Sequence, residues 1–120
     1  MDSELTSKAR ANGLGTKSLV NTPTHAIIEV VRATAFAEAH EFDTDIFIVQ
    51  GGEGTLQVGG EIVDRKATGP GQFAGSSIRG GEMTKAAAGD VFYIPKNVPH
   101  MWHIREGQQV TYLAMKVTEK

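Results

Sequence analysis

The chain has 120 residues, enough for one domain with a single core and not for two. Hydrophobic residues at 40% and charged residues at 22% exclude a disordered tail, a collagen-like repeat and a coiled coil. Lys+Arg 12 against Asp+Glu 14, with no basic block, argues against a nucleic-acid partner. With no cysteine, disulfides, thiolate metal sites and a cysteine nucleophile are all excluded. No apolar run approaches the roughly 20 residues of a membrane span, so no membrane partner is expected. The opening MDSELTSKARANGLG lacks the apolar core of a signal peptide, and the expected compartment is the cytoplasm.

Residues 3–11 predict one short helix, started by Asp2 or Ser3 and stopped by Gly13. Residues 1–23 are read as an N-terminal helix or arm and 24–120 as the folded barrel. From Thr24 onward the chain reads as strands. His25 to Arg32 is the first, and Thr34 to His40 follows with Phe36, Glu38 and His40 on one face. Asp45 to Gln50 is apolar on both faces, as in a strand between two layers. Gly51 to Gly54 turns it into Thr55 to Val58, and Gly59-Gly60 predicts a tight hairpin into Glu61 to Val63. Arg65 to Ser76 reads as a long surface loop. Strands at Glu82 to Lys85, Val91 to Ile94, Met101 to Ile104 and Val110 to Val117 complete the set. Many short strands with glycine turns predict an all-β sandwich or barrel.

Four histidines are few enough to take singly. Glu38 and His40 share a strand face just before the most buried strand. His100 lies far off in sequence, after two prolines that fix its approach. One glutamate and two histidines form a set that leaves coordination positions open for oxygen or a small substrate. The plain alternative for Glu38-x-His40 is a pair of surface polar residues near a turn. His100 and His103 project to opposite faces of a strand and do not share an ion, and His103 and His25 read as surface or dimer-contact residues.

Residues 38–60, EAHEFDTDIFIVQGGEGTLQVGG, resemble the first motif of the cupin superfamily: His-x-His, three or four residues, Glu, six residues, Gly. Residues 89–100, GDVFYIPKNVPH, resemble the second: Gly, five residues, Pro-x-Gly, two residues, His. The resemblance implies a small single-domain cupin, a jelly-roll-like barrel of two antiparallel sheets, over about residues 25–117. Four positions depart from the motifs. Glu38 replaces the first histidine, Asp45 the glutamate and Asn97 the glycine after Pro95, and Ile104 stands at the family's final asparagine.

Carried over position by position, the resemblance implies a metal set of Glu38, His40, Asp45 and His100. Two carboxylates make the set harder and favour one divalent transition metal: Fe, Mn, Ni or Zn. Asp45, one methylene shorter than Glu, either reaches the ion or holds a ligand histidine. The other reading is a metal-free cupin whose site has decayed. Phe36, Phe47, Val49 and Trp102 share parity with the ligands and predict either pocket lining or barrel core. Arg32 and Tyr93 are candidates to meet an anionic substrate, and Glu41 or Asp43 on the adjacent turn to serve as a base. The expected activity is a metal-dependent dioxygenase or Lewis-acid lyase or isomerase acting on a small polar molecule. The alternative is a non-catalytic ligand-binding cupin. Cupins resembling this chain are often dimers, so the resemblance implies a homodimer, for which an exposed sheet edge gives a physical reason.

Overall fold

Strand period governs the chain from Leu14 onward, and the computed structural model, which describes residues 3–120, arranges the strands in two facing antiparallel sheets. In chain order the elements are α1 (Ser3–Asn12), β1 (Leu14–Asn21), β2 (His25–Arg32), β3 (Ala37–His40), β4 (Asp43–Gly52) and β5 (Thr55–Val58). They continue with β6 (Glu61–Val63), β7 (Lys66–Gly69), β8 (Gln72–Gly75), β9 (Ser77–Arg79) and β10 (Glu82–Lys85). The last three are β11 (Val91–Ile94), β12 (His100–His103) and β13 (Val110–Thr118). One sheet runs β1-β2-β13-β4-β11 and the other β10-β5-β12-β3-β8-β7, with β6 and β9 forming a separate ribbon.

Alternation along the strands makes the core. Val30 of β2, Phe47 and Val49 of β4, Leu56 of β5, Trp102 of β12 and Tyr112 of β13 meet between the sheets, all nearly inaccessible to water. Val31, one residue out of phase with Val30, faces the other way and is covered by Leu5 and Ala9 of α1. Those two residues lie one helical turn apart, so a ten-residue helix suffices as a lid on the outer sheet face. Gly13 ends the helix at φ 87°, and its N–H donates to the Ala9 carbonyl at 2.7 Å. Asp2, one of the two expected caps, lies outside the described residues.

Five expectations change. The arm expected over 1–23 contains β1, whose pairing with β2 makes it part of the main sheet. The strand expected from Thr34 starts at Ala37, and the one expected at Met101–Ile104 spans His100–His103. The loop expected over Arg65–Ser76 is a hairpin, β7 with β8, whose turn holds Gly71 at φ 70°. Gly59-Gly60 does not close a hairpin between β5 and β6. Instead β5 pairs β10 with Val58 opposite Glu82, and β6 pairs β9 with Glu61 opposite Arg79. The register is the same across both ladders, so they are one long ribbon bent where Gly59-Gly60 faces Gly80-Gly81. All four glycines have positive φ, and a Cβ on Gly60 would lie 2.4 Å from the Arg79 carbonyl oxygen. The bent half folds back over the outer face of β5, where Gln57 Nε2 donates to the carbonyls of Ile78 (3.1 Å) and Gly80 (2.7 Å).

Candidate metal centre

Strand register brings the site together. Glu38 on β3 lies directly across from His100 on β12, and His40 lies across from Gln72 on β8. From the opposite sheet, Asp45 on β4 faces inward, directly across from Lys116 on β13. One ligand atom each from Glu38, His40 and His100 falls within 4.8 Å of the others. Asp45, 1% exposed, puts Oδ2 at 3.3 Å from His40 Nε2 and 3.6 Å from His100 Nε2, while His40 Nε2 stands 3.5 Å from Glu38 Oε2.

These separations are long for hydrogen bonds and suit donors that share an ion. Two atoms each about 2.1 Å from a metal stand about 3.0 Å apart at an octahedral right angle and about 3.4 Å apart at the tetrahedral angle. His40 Nε2 and Asp45 Oδ2 are both buried without a hydrogen-bond partner. The other nitrogen of each imidazole is engaged. His40 Nδ1–H donates to Gln72 Oε1, and His100 Nδ1–H to the Val98 carbonyl at 3.3 Å. Both rings therefore turn an Nε2 lone pair toward the carboxylates, the tautomer a metal requires. The residues present fit a divalent ion.

The turn before β12 is tied to this cluster. Asn97, at the motif glycine position, adopts φ 68°, and its N–H donates to the His40 carbonyl at 2.8 Å. Lys116 Nζ donates to Asp45 Oδ1 at 2.9 Å, leaving Oδ2 for the histidines.

Burial shapes the charges. Desolvation alone would raise the Glu38 carboxyl, but the His40 imidazole and the Arg32 guanidinium outweigh it and hold the carboxyl below its ordinary value. Burial likewise pulls His40 down, yet Glu38 and Asp45 outweigh it, against the opposing Lys116, and its proton is held above the ordinary imidazole range. For His100 burial prevails over Asp45, and its pKa falls.

No family model matches the sequence, and no curated protein matches it. Solved structures do. KdgF from Halomonas sp. superimposes with TM-score 0.64 at 16% identity, over 91% of this chain and 83% of that one. A cupin-like protein from Thermotoga maritima gives TM-score 0.61 at 19% identity, over 87% of this chain and 68% of that one. The DMSP lyase DddQ from Ruegeria pomeroyi gives 0.64 at 12% identity, over 91% of this chain and 49% of that one. The chain has the cupin fold.

Beside the cluster the cupin barrel holds a cavity of ≈130 Å³, smaller than a drug-sized site. Glu38, Asp45 and His100 line it, together with Arg32, Phe36, Phe47 and Trp102 of the expected pocket. Phe36 stands half exposed in the segment before β3. Val49, expected beside them, packs in the core and does not line the cavity. Tyr93 is corrected outright: Ile94 lies across from inward-facing Asp45, so alternation turns Tyr93 outward, where it is 64% exposed.

The two expected bases also lie elsewhere. Glu41 is exposed, and Asp43, which begins β4 and is not in the turn, accepts a hydrogen bond from Thr118 Oγ1 at 2.7 Å. Neither lines the cavity. His103 points out of the barrel, its Nε2 2.8 Å from Gln57 Oε1, and exposed His25 pairs with Thr24.

Sequence reasoning missed Gln72, Tyr112 and Lys116. A signal existed for two of them. Val110, Tyr112, Ala114 and Lys116 share one parity of β13, so a lysine and a phenol on an otherwise apolar face could have been read inward. Burial pushes the Tyr112 phenol up to about 12, so it keeps its proton.

Proposed function

We propose that this cupin is a metal-dependent enzyme acting on a small polar substrate in the barrel cavity, as a Lewis-acid lyase or isomerase or as a dioxygenase. The reading rests on one observation: Glu38, His40 and His100 converge with both histidine Nδ1 atoms already engaged. The cofactor would be one divalent transition metal, Fe, Mn, Ni or Zn, which those three residues would hold, with Asp45 Oδ2 beside the two histidines as a further donor. Such an ion would supply Lewis-acid polarisation of a carbonyl or hydroxyl, or the redox chemistry of a dioxygenase. The chain's own residues do the rest. Lys116 holds Asp45 Oδ1 and so orients its carboxylate, Phe47 and Trp102 exclude water, and the Tyr112 phenol donates a hydrogen bond to a substrate oxygen. DddQ, of similar fold, is a lyase by its own description.

Metal content by mass spectrometry, on protein purified without chelators or a histidine tag, tests the reading. About one transition metal per chain is expected. Glu38→Ala, His40→Ala and His100→Ala should each lose it while keeping the barrel's circular dichroism. Stoichiometric metal retained in all three variants would overturn the assignment.

A second reading, a non-catalytic ligand-binding cupin, draws on the positions of Glu41 and Asp43, which leave the cavity without the base expected there. Turnover against a panel of diketones, thiols and sugar derivatives separates the two.

A further inference from the structure

Arg32 stands where the alternation of β2 calls for an apolar residue. Ile28, Val30 and Arg32 share one strand face and all line the barrel cavity. The Arg32 Nε is buried without a hydrogen-bond partner, and among the described residues its guanidinium makes no ion pair. Trp102, 2% exposed, lines the same cavity, its buried indole N–H turned to the Tyr112 phenol without a well-formed hydrogen bond. A buried donor without an acceptor is costly, so the Arg32 Nε marks a place in this cavity where an acceptor is meant to arrive.

Charge says what kind. Glu38 and Asp45 are balanced by Arg32 and Lys116, so a divalent ion held between neutral histidines leaves two positive charges uncompensated. An anionic ligand restores the balance in this low-dielectric space. A planar guanidinium fork matches a carboxylate. The small cavity volume and the apolar wall of Ile28, Val30 and Phe47 suit a short carbon chain.

We infer that Arg32 and Trp102 form the carboxylate subsite of a small organic acid, whose carbon chain lies on Ile28, Val30 and Phe47 and whose far end faces Glu38 and His100. The inference deepens the metal-enzyme reading and rests on it for the charge count.

Trp102 is the chain's one tryptophan, so its fluorescence reports occupancy of the cavity directly. The protein as purified, and again after chelator treatment, is titrated with butyrate and pyruvate and with the matching amides, butyramide and pyruvamide. The acids should shift the emission saturably and bind at least about tenfold more tightly than the amides, the effect of one charge-assisted hydrogen bond. Arg32→Met should erase that preference. Arg32→Lys, which keeps the charge and folding but loses the fork, should weaken the acids several-fold.

Equal binding of acids and amides, no saturable binding of either, or unchanged acid affinity in both variants would overturn the subsite. The metal content of the same preparations separates the two ideas. An Arg32-dependent acid preference in protein that never holds metal keeps the subsite and removes the metal enzyme. Stoichiometric metal without the preference does the reverse.

Discussion

Gln72 decides which nitrogen of His40 faces the cluster, although it offers nothing to an ion itself. Its Oε1 accepts from His40 Nδ1–H and so holds the Nε2 lone pair toward Glu38 and Asp45. Replacing it with leucine frees the ring to turn and to change tautomer. Gln72→Leu should lower metal affinity about 10–100-fold while the circular dichroism stays that of a folded barrel, as read by competition against a chromophoric chelator.

Tyr112 carries a second prediction at this scale. Its phenol has an ordinary value of 10.0 in an unfolded chain and about 12 in the barrel, because burial disfavours the phenolate. The contribution is whole below pH 10 and is lost as pH rises toward about 12. Unfolding free energies from urea titrations at about pH 9 and about pH 11 should differ by about 1 kcal/mol more in the parent than in Tyr112→Phe.

The candidate ligand positions Glu38, His40, Asp45 and His100 were legible as positions because motif spacing fixes them along the chain. Gln72 and Lys116 were not, because they enter the site as cross-strand neighbours of His40 and Asp45. Cross-strand neighbours depend on register, and register depends on loops whose geometry local sequence does not specify.

The bent ribbon shows the same limit among elements. Thr55–Val58, Glu61–Val63 and Glu82–Lys85 were each read at their observed bounds, yet the pairing of the first two was wrong. Two glycines between short strands look like a hairpin turn when only one strand pair is considered. The second Gly-Gly, at Gly80-Gly81, lies directly opposite and turns the pair into a fold line. A Cβ on Gly81, where φ is 79°, would lie 2.6 Å from the Val58 carbonyl oxygen and 2.8 Å from that of Gly59. Gly81→Ala should cost about 1–3 kcal/mol in urea unfolding. Gly69→Ala, with open space around it and no positive φ, should stay within about 0.5 kcal/mol of the parent. The hairpin of β7 and β8 escaped notice because Lys66 to Gly75 is short of the β-branched alternation by which strands are read.

At the scale of the whole molecule, the fold class was legible and the order of the strands was not. Period-two patterning and glycine punctuation specify many short strands, and the two motifs specify a barrel. Nothing local tells β13, the last strand in the chain, to lie between β2 and β4. That position has a consequence for how the protein is made. Until β13 has been synthesised, β2 and β4 cannot be joined, and Asp45 has no Lys116 to meet. Between the synthesis of β4 and that of β13 the growing chain therefore lacks the strand that joins those two edges. Its main sheet can close only once that central strand is present. A chain cut before Val110 would leave those two edges free to pair with other strands, the hazard that the full sheet removes by placing β13 between them.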